Sequence, residues 1–376
     1  MYITYLLFIL FTFPLRFLSY KAIHRLGALL GLAVYYLYPK YRKRALSNLA
    51  LATSLNLTPA QIIQTAKASL QNLAIVALEY PRLFAENNIG RLATCENPDV
   101  ASHLMQTGRG VIFFCGHQAN WEILFLEGTS RMPGIAIGRP IKNRYLYGFI
   151  TRLREKFGGT MIPPKQAAKA TLKALKERKF VGIVGDQGMP DSGFSCPFLG
   201  RLAWTSPLPA LLSKRSGCPI IVASTRRENG KYIIHYSDPI WPSDTQMEEV
   251  LKTFEHTIEK RPHEWLWIHN RWKQQLPGKL PKKFRHDAIA LVVDEQTDLN
   301  DLNQIKELYP TEQLTLFTPQ KLSLPGIEVC NTLKPDFRFK LVINCTHNKK
   351  LHHHFQSAQH IASFNTLKEF IAHARK

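Results

Sequence analysis

The chain has 376 residues, 45% hydrophobic and 20% charged, with 49 Lys and Arg against 28 Asp and Glu for a formal net charge of +21. That composition excludes an intrinsically disordered chain and is long enough for one large domain with a smaller companion. The basic excess points to an anionic partner, and no two of the six cysteines stand in CxxC spacing or pair with histidines as zinc ligands, so reduced thiols in a cytosolic setting are expected.

In chain order, residues 2–20 are almost wholly apolar, broken by Pro14 and Arg16. The run is close to the ~20 residues that cross a hydrocarbon layer. A second apolar run, 26–37, follows Lys21, His24 and Arg25. No Lys or Arg precedes the first run and no small-residue cleavage site follows it, which argues against a secretory signal. Positive charge comes afterwards, at Lys40, Arg42, Lys43 and Arg44, so residues 1–45 are expected to be a membrane anchor with a basic juxtamembrane segment. Whether the anchor spans or lies in the interface stays open.

Thr58-Pro59 predicts a helix start, continued by an apolar face through Ile62, Ala66, Leu70 and Leu73. Short apolar runs at 111–115, 180–184, 219–223 and 232–236 predict strands, and a strand-like stretch stands at 135–137. Helical patterns at 142–157, 167–176, 207–216 and 247–260 lie between or after them. Strands alternating with helices predict an α/β domain over 46–283, with a mixed, largely parallel sheet flanked by helices. Residues 279–283 read as a boundary, and 284–376 as a small C-terminal α/β module with strands near 287–293, 314–317 and 341–345 and helices at 302–308, 351–360 and 367–374. The expected fold is therefore α/β, with an N-terminal membrane helix ahead of the sheet domain.

Chemistry in such sheets gathers at the carboxyl ends of the strands. His117 and Asp186 both follow strand ends, and Glu122 stands five residues after His117. On one continuous helix that separation would put the two side chains about 140° apart. They converge if His117 is in the turn and Glu122 in the first helical turn. A carboxylate on one imidazole nitrogen fixes the tautomer and makes the other nitrogen a better base, suited to taking a proton from an alcohol that attacks a thioester. Arg139 follows the 135–137 strand and Pro140 biases it toward an extended shape, so it can grip a phosphate or an oxyanion. His352-His353-His354 lacks acidic or cysteine partners and reads as a solvated tract rather than a metal site. There is no G-x-S-x-G, G-x4-G-K-[ST] or H-E-x-x-H motif, so serine-hydrolase, P-loop and zincin chemistries lose their usual supports.

Four blocks carry a resemblance. The first is His117-x4-Glu122. The second is Gly138-Arg139-Pro140-Ile141-Lys142-Asn143. The third is Gly185-Asp186-Gln187 followed by Pro197-Phe198-Leu199-Gly200, Ala203-Trp204-Thr205 and Pro209-Ala210. The fourth is Arg261 to Trp272, with His269 and Arg271 inside it. In this order, over roughly residues 1–275, the chain resembles the lipid A biosynthesis lauroyl/myristoyl acyltransferases of the lysophospholipid acyltransferase superfamily. One departure is Gly116, where that family often has Asn. The resemblance implies an acyl carrier protein thioester as donor, a sugar-linked lipid as acceptor, no metal or organic cofactor, and a catalytic domain on the cytoplasmic face of a bacterial inner membrane. It implies His117 and Glu122 as catalytic residues, with Arg139, Asn143, Asp186, Gln187 and Arg271 as substrate-binding or oxyanion residues.

A phospholipid or phosphatidylinositol glycoside acceptor is the competing enzyme reading, and a non-catalytic basic membrane-binding module is the competing reading of another class. Nucleic acid is not an expected partner, because no recognisable binding module is present. The oligomeric state is open. Because the four blocks end by Trp272, residues 284–376 are expected to be dispensable for chemistry.

Overall fold

The computed structural model describes residues 1–273, 280–346 and 348–375; Lys279, which opens the expected boundary, lies outside them. The N-terminal segment forms α1 (Tyr2–Thr12), a 3-10 turn at Phe13–Phe17, α2 (Tyr20–Leu37) and α3 (Pro39–Leu51). The expected membrane helix is not there: among the described residues no helix is long and apolar enough to cross a membrane. Pro14 sits in the 3-10 turn and ends the apolar run as a helix. At 11 residues, α1 is about 16 Å long, half of a ~30 Å hydrocarbon layer.

The second apolar run packs into the protein. α2 lies along α4 (Pro59–Ala85), and two glycines make the approach possible. A Cβ on Gly27 would fall 2.6 Å from Ile75, and one on Gly31 would fall 2.3 Å from the backbone of Gln71. His24 adds a 2.6 Å contact to the buried Glu79 of α4. α4 itself starts on the expected cap, with Thr58 and Gln61 forming a reciprocal capping box.

The main sheet follows: β1 (Ala93–Cys95), β2 (Val111–Cys115), β3 (Gly134–Ile137), β4 (Thr160–Ile162) and β5 (Phe180–Val184). Helices α5 (Asp99–Gln106), α6 (Glu122–Arg131), α7 (Arg144–Arg154) and α8 (Ala167–Lys176) alternate with these strands. A hairpin of β6 (Phe194–Phe198) and β7 (Arg201–Thr205) precedes α9 (Leu208–Ser216), β8 (Ile220–Glu228), β9 (Lys231–Tyr236) and α10 (Gln246–Lys260). The seven strands run in the order β1-β9-β8-β2-β5-β3-β4, parallel except for the β8–β9 pair. β2 is central and buried at all five residues, which is why it reads as an unbroken apolar run.

A second, wholly parallel sheet contains β10 (Ala288–Val293), β11 (Gln313–Phe317), β12 (Glu328–Cys330), β13 (Leu341–Cys345) and β14 (His360–Ser363). Helices α11 (Leu302–Leu308) and α12 (Leu367–Ala374) accompany it. Where a helix is expected at 351–360, only Leu351–His353 turns, as a 3-10 segment, and His360 begins a strand. The amides of Gln359 and His360 both donate to the Lys340 carbonyl, which starts the pairing with β13.

The two sheets share one core. Ala45, Leu46 and Leu49 of α3 belong to the same apolar cluster as Val292, Phe339, Val342 and Phe355. Inside the junction lies a buried ion pair, Lys340 Nζ to Asp287 at 3.0 Å. Lys340 also donates to Asn48 Oδ1 at 3.0 Å. The amide of Asn48 in turn donates to the carbonyls of Trp267 and His269. The C-terminal module therefore reaches, through one side chain of α3, the loop that carries His269.

Candidate active site

β2 ends at Cys115, and the chain turns sharply through residues 116–121 before α6 begins at Glu122. Ala119 takes φ +44° in that turn, a left-handed conformation that costs a non-glycine residue of order 1 kcal/mol. The surroundings hold it there. The Ala119 amide donates to the Glu264 carbonyl at 2.8 Å, the Leu266 amide donates to the His117 carbonyl at 3.0 Å, and buried Asn72 of α4 donates to the Glu264 carbonyl at 3.0 Å. The His117-x4-Glu122 box is thus stitched to the 264–266 segment on one side and to α4 on the other.

His117 has a carboxylate partner, but it is Asp186 rather than the expected Glu122. Asp186 follows β5, the strand beside β2, and is fully buried. His117 Nδ1 donates to Asp186 Oδ1 at 2.8 Å, and the His117 amide donates to Oδ2 at 2.8 Å. Trp265 Nε1 donates to the same Oδ2 at 2.8 Å. Burial alone would lower the His117 pKa, but the Asp186 charge and hydrogen bond outweigh it and leave the imidazole above its usual range. Burial likewise opposes ionisation of Asp186, yet the His117 charge and its side-chain and backbone hydrogen bonds hold it well below the ordinary carboxylate range.

Glu122 serves another cation. Arg154, the last residue of α7, donates through Nε and Nη2 at 2.8 and 2.6 Å, and Tyr80 of α4 donates at 2.7 Å. Burial raises the Glu122 pKa, but Arg154 more than reverses that, so the group is anionic. Asn120, between the two box residues, accepts from the Glu122 amide and donates to Glu79 at 2.7 Å. Neither Arg154 nor Tyr80 belongs to any sequence block. They lie 32 and 42 positions from Glu122, and no local spacing signals them.

Gly116 has a steric reason. A Cβ there would stand 2.1 Å from the ring of Phe254 on α10 and 2.9 Å from Asp186 Oδ2. An asparagine cannot occupy this position with Phe254 in place.

The remaining expected residues divide. His269 packs against His117 with ring centroids 4.7 Å apart, and exposed Gln187 comes within 3.3 Å of His269 Nε2. Burial, with the charges of His117 and Arg44, lowers the His269 pKa to about 4 despite Asp186, so it is neutral. Arg271 is fully buried: it donates to the Trp204 carbonyl and Thr205 Oγ1 at 2.8 and 2.7 Å and lies over Phe198, fastening the β6–β7 hairpin. Asn143 caps α7, accepting from the amides of Tyr145 and Leu146, and donates to the Met1 carbonyl. Arg139 is exposed on the loop after β3 and forms no ion pair among the described residues.

Ligand atoms of His117, Asp186 and His269 lie within 4.8 Å of one another, close enough to suggest a metal. Three N–H donors already occupy the Asp186 carboxylate, an arrangement that suits an oriented imidazole. Beside the box is an apolar cavity of about 80 Å³, lined by Cys115, Trp121, Phe125, Ile137 and Phe180 with the Glu122–Arg154 pair at its polar side. Trp121 also packs on His117, with centroids 4.6 Å apart, so the imidazole stands next to this cavity.

Comparison with known proteins places the chain in a family. Residues 1–274 match the family model described as bacterial lipid A biosynthesis acyltransferase. A lipid A biosynthesis lauroyltransferase of Escherichia coli (strain K12) is 26% identical over 185 residues, covering 47% of this chain. The aligned part spans 60% of that relative's length.

Proposed function

The chain belongs to the bacterial lipid A biosynthesis acyltransferase family, and from that premise we propose that it transfers a fatty acyl group from an acyl carrier protein thioester to a hydroxyl of a lipid A precursor. The observation that carries the proposal is His117, oriented by buried Asp186 at the edge of an apolar cavity. With Nδ1 engaged, Nε2 is the basic nitrogen. It takes the proton of the acceptor hydroxyl as the oxygen attacks the thioester carbonyl. The carbon–sulfur bond then breaks, and the imidazolium returns the proton to the leaving thiolate. The apolar cavity suits the start of an acyl chain, and neutral His269 gives the reacting hydroxyl a second polar neighbour.

In this reading Glu122 does not orient the base. It fixes Arg154 at the cavity and adds negative potential that favours protonated His117 during the reaction. Arg139 is the candidate grip for an acceptor phosphate. Its neighbour Gly138 lies against Met161 and Arg154, both of which line the cavity.

The partner surface in this proposal is an anionic membrane, met by lying on it. Ile3, Leu10, Phe11 and Phe17 are 72%, 68%, 76% and 75% exposed, large apolar side chains of the kind that enter membrane or protein contacts. The cytoplasmic face of a bacterial inner membrane is the setting proposed, consistent with six free cysteines. The test is an acyl-transfer assay with purified protein, acyl carrier protein thioesters of several chain lengths, and a panel of lipid A precursors and phospholipids. Acyl transfer only to phospholipids would replace the acceptor; no transfer to any of them would overturn the proposal.

A further inference from the structure

A second cavity, of about 560 Å³, opens where the end of α2, the first turns of α3, the first turns of α4 and the C-terminal module meet. Arg42, Lys43, Lys67 and His352 line it together with Tyr35 and Tyr36, and none of its described lining residues is acidic. It shares no lining residue with the apolar cavity beside His117.

The cations here have rings for partners instead of carboxylates. Lys67 Nζ lies 5.5 and 5.3 Å from the ring centroids of Tyr35 and Tyr36, and Arg42 lies 5.7 Å from that of Tyr35. Burial and the neighbouring Arg42 charge pull the Lys43 ammonium below its usual range. α3 compounds the imbalance: its opening turns carry Lys40, Arg42 and Lys43, no acid stands in the first turn, and Tyr38 supplies no side-chain cap. A helix N-terminus already bears partial positive charge, so cations there are unfavourable unless an anion joins them.

The surroundings say which kind of anion. Leu26, Leu29, Leu30 and Leu37 are exposed along one face of α2, at helical spacing, and exposed Tyr36 continues that stripe into the cavity. The basic pocket thus opens at the border of an apolar surface, where a phosphate beneath a lipid headgroup would lie. We propose that this cavity binds the phosphate of an anionic membrane lipid, with Arg42, Lys43 and Lys67 as its cations. The inference rests on the interfacial membrane reading given above and adds a specific headgroup site to it.

The test sediments the full chain with vesicles of phosphatidylcholine, alone or doped with phosphatidylglycerol. Wild type is compared with Arg42→Gln/Lys43→Gln/Lys67→Gln and with a control of equal charge loss on exposed α8, Lys169→Gln/Lys173→Gln/Lys176→Gln. About fivefold weaker binding per lost cation, roughly 100-fold in all, is expected for the pocket variant on doped vesicles, with binding to neutral vesicles retained. Equal losses in the control, or an unchanged preference in the pocket variant, would overturn the site and leave the interfacial reading standing. Short-chain phosphatidylglycerol below its micelle-forming concentration gives a membrane-free arm. If wild type bound that lipid, the pocket variant did not, and no vesicle were bound, the site would stand and the interfacial reading would fall. If inorganic phosphate raised the melting temperature of wild type alone, and the short-chain lipid did no better, the cavity would be a soluble-anion site and the lipid assignment would be wrong.

Discussion

His117 and Asp186 form a coupled pair in the site, and their pairing makes a prediction with a sign. A base must be neutral to act, and Asp186 holds the His117 pKa above its usual value. Activity should therefore fall as pH drops through that raised value, at higher pH than a free histidine near 6.5 would require. Asp186→Asn should move this acid limb to lower pH and cut kcat, while His117→Ala should cost ~10²–10⁴-fold; a pH–rate profile of each variant checks both. Glu122 behaves differently. Truncating it strands Arg154 and Tyr80, so Glu122→Ala should lose about 2–3 kcal/mol of stability as well as activity. Urea denaturation read beside turnover separates the two losses. His117 and Asp186 were legible because each closes a short apolar strand; which carboxylate meets the imidazole was not. Closeness in sequence favours Glu122, whereas the parallel pairing of β2 with β5 delivers Asp186 from 69 residues away.

At the level of elements, β2 and β5 were readable as unbroken apolar runs, and the α4 start as a cap. The 351–360 segment misled because its apolar spacing suits a helix, while its backbone is recruited by Lys340 and β13. The β6–β7 hairpin shows as a motif only, since exposed and buried residues alternate through Pro197 and Leu202 instead of forming an apolar run. Packing of α10 against the box predicts that Gly116→Asn will destabilise by about 1–3 kcal/mol through collision with Phe254. Pairing it with Phe254→Ala should return part of its own steric cost, as a double-mutant cycle of melting curves would show. For α1, the prediction concerns the surface: Leu10→Glu/Phe11→Glu should greatly reduce sedimentation with neutral vesicles while leaving the melting temperature nearly unchanged, because neither side chain is buried.

Across the whole molecule, the C-terminal module is joined to the catalytic half by a shared core and by Lys340. Removing residues 284–376, which are expected to be dispensable for chemistry, would open that junction. Lys340→Met should cost about 3–5 kcal/mol, because Asp287 would remain buried without its cation. Lys340→Met/Asp287→Leu should recover much of that loss, measured by urea denaturation. The Asn48 link adds a second readout: the same single substitution should lower kcat more than it raises the acceptor KM, since Asn48, which anchors the loop bearing His269, loses the Lys340 donor that orients it. The seam at Gly27 and Gly31 carries a lesson for dissecting the protein by truncation. α2 packs closely on α4 there, against Gln71 and Ile75, so a chain begun after it would bare Ile75 to water. Such a fragment would clump whether or not the intact protein touches a bilayer, and its disappearance from a membrane pellet, or its persistence there as aggregate, would report on solubility alone. Surface point substitutions are the only clean scalpel at this end of the chain.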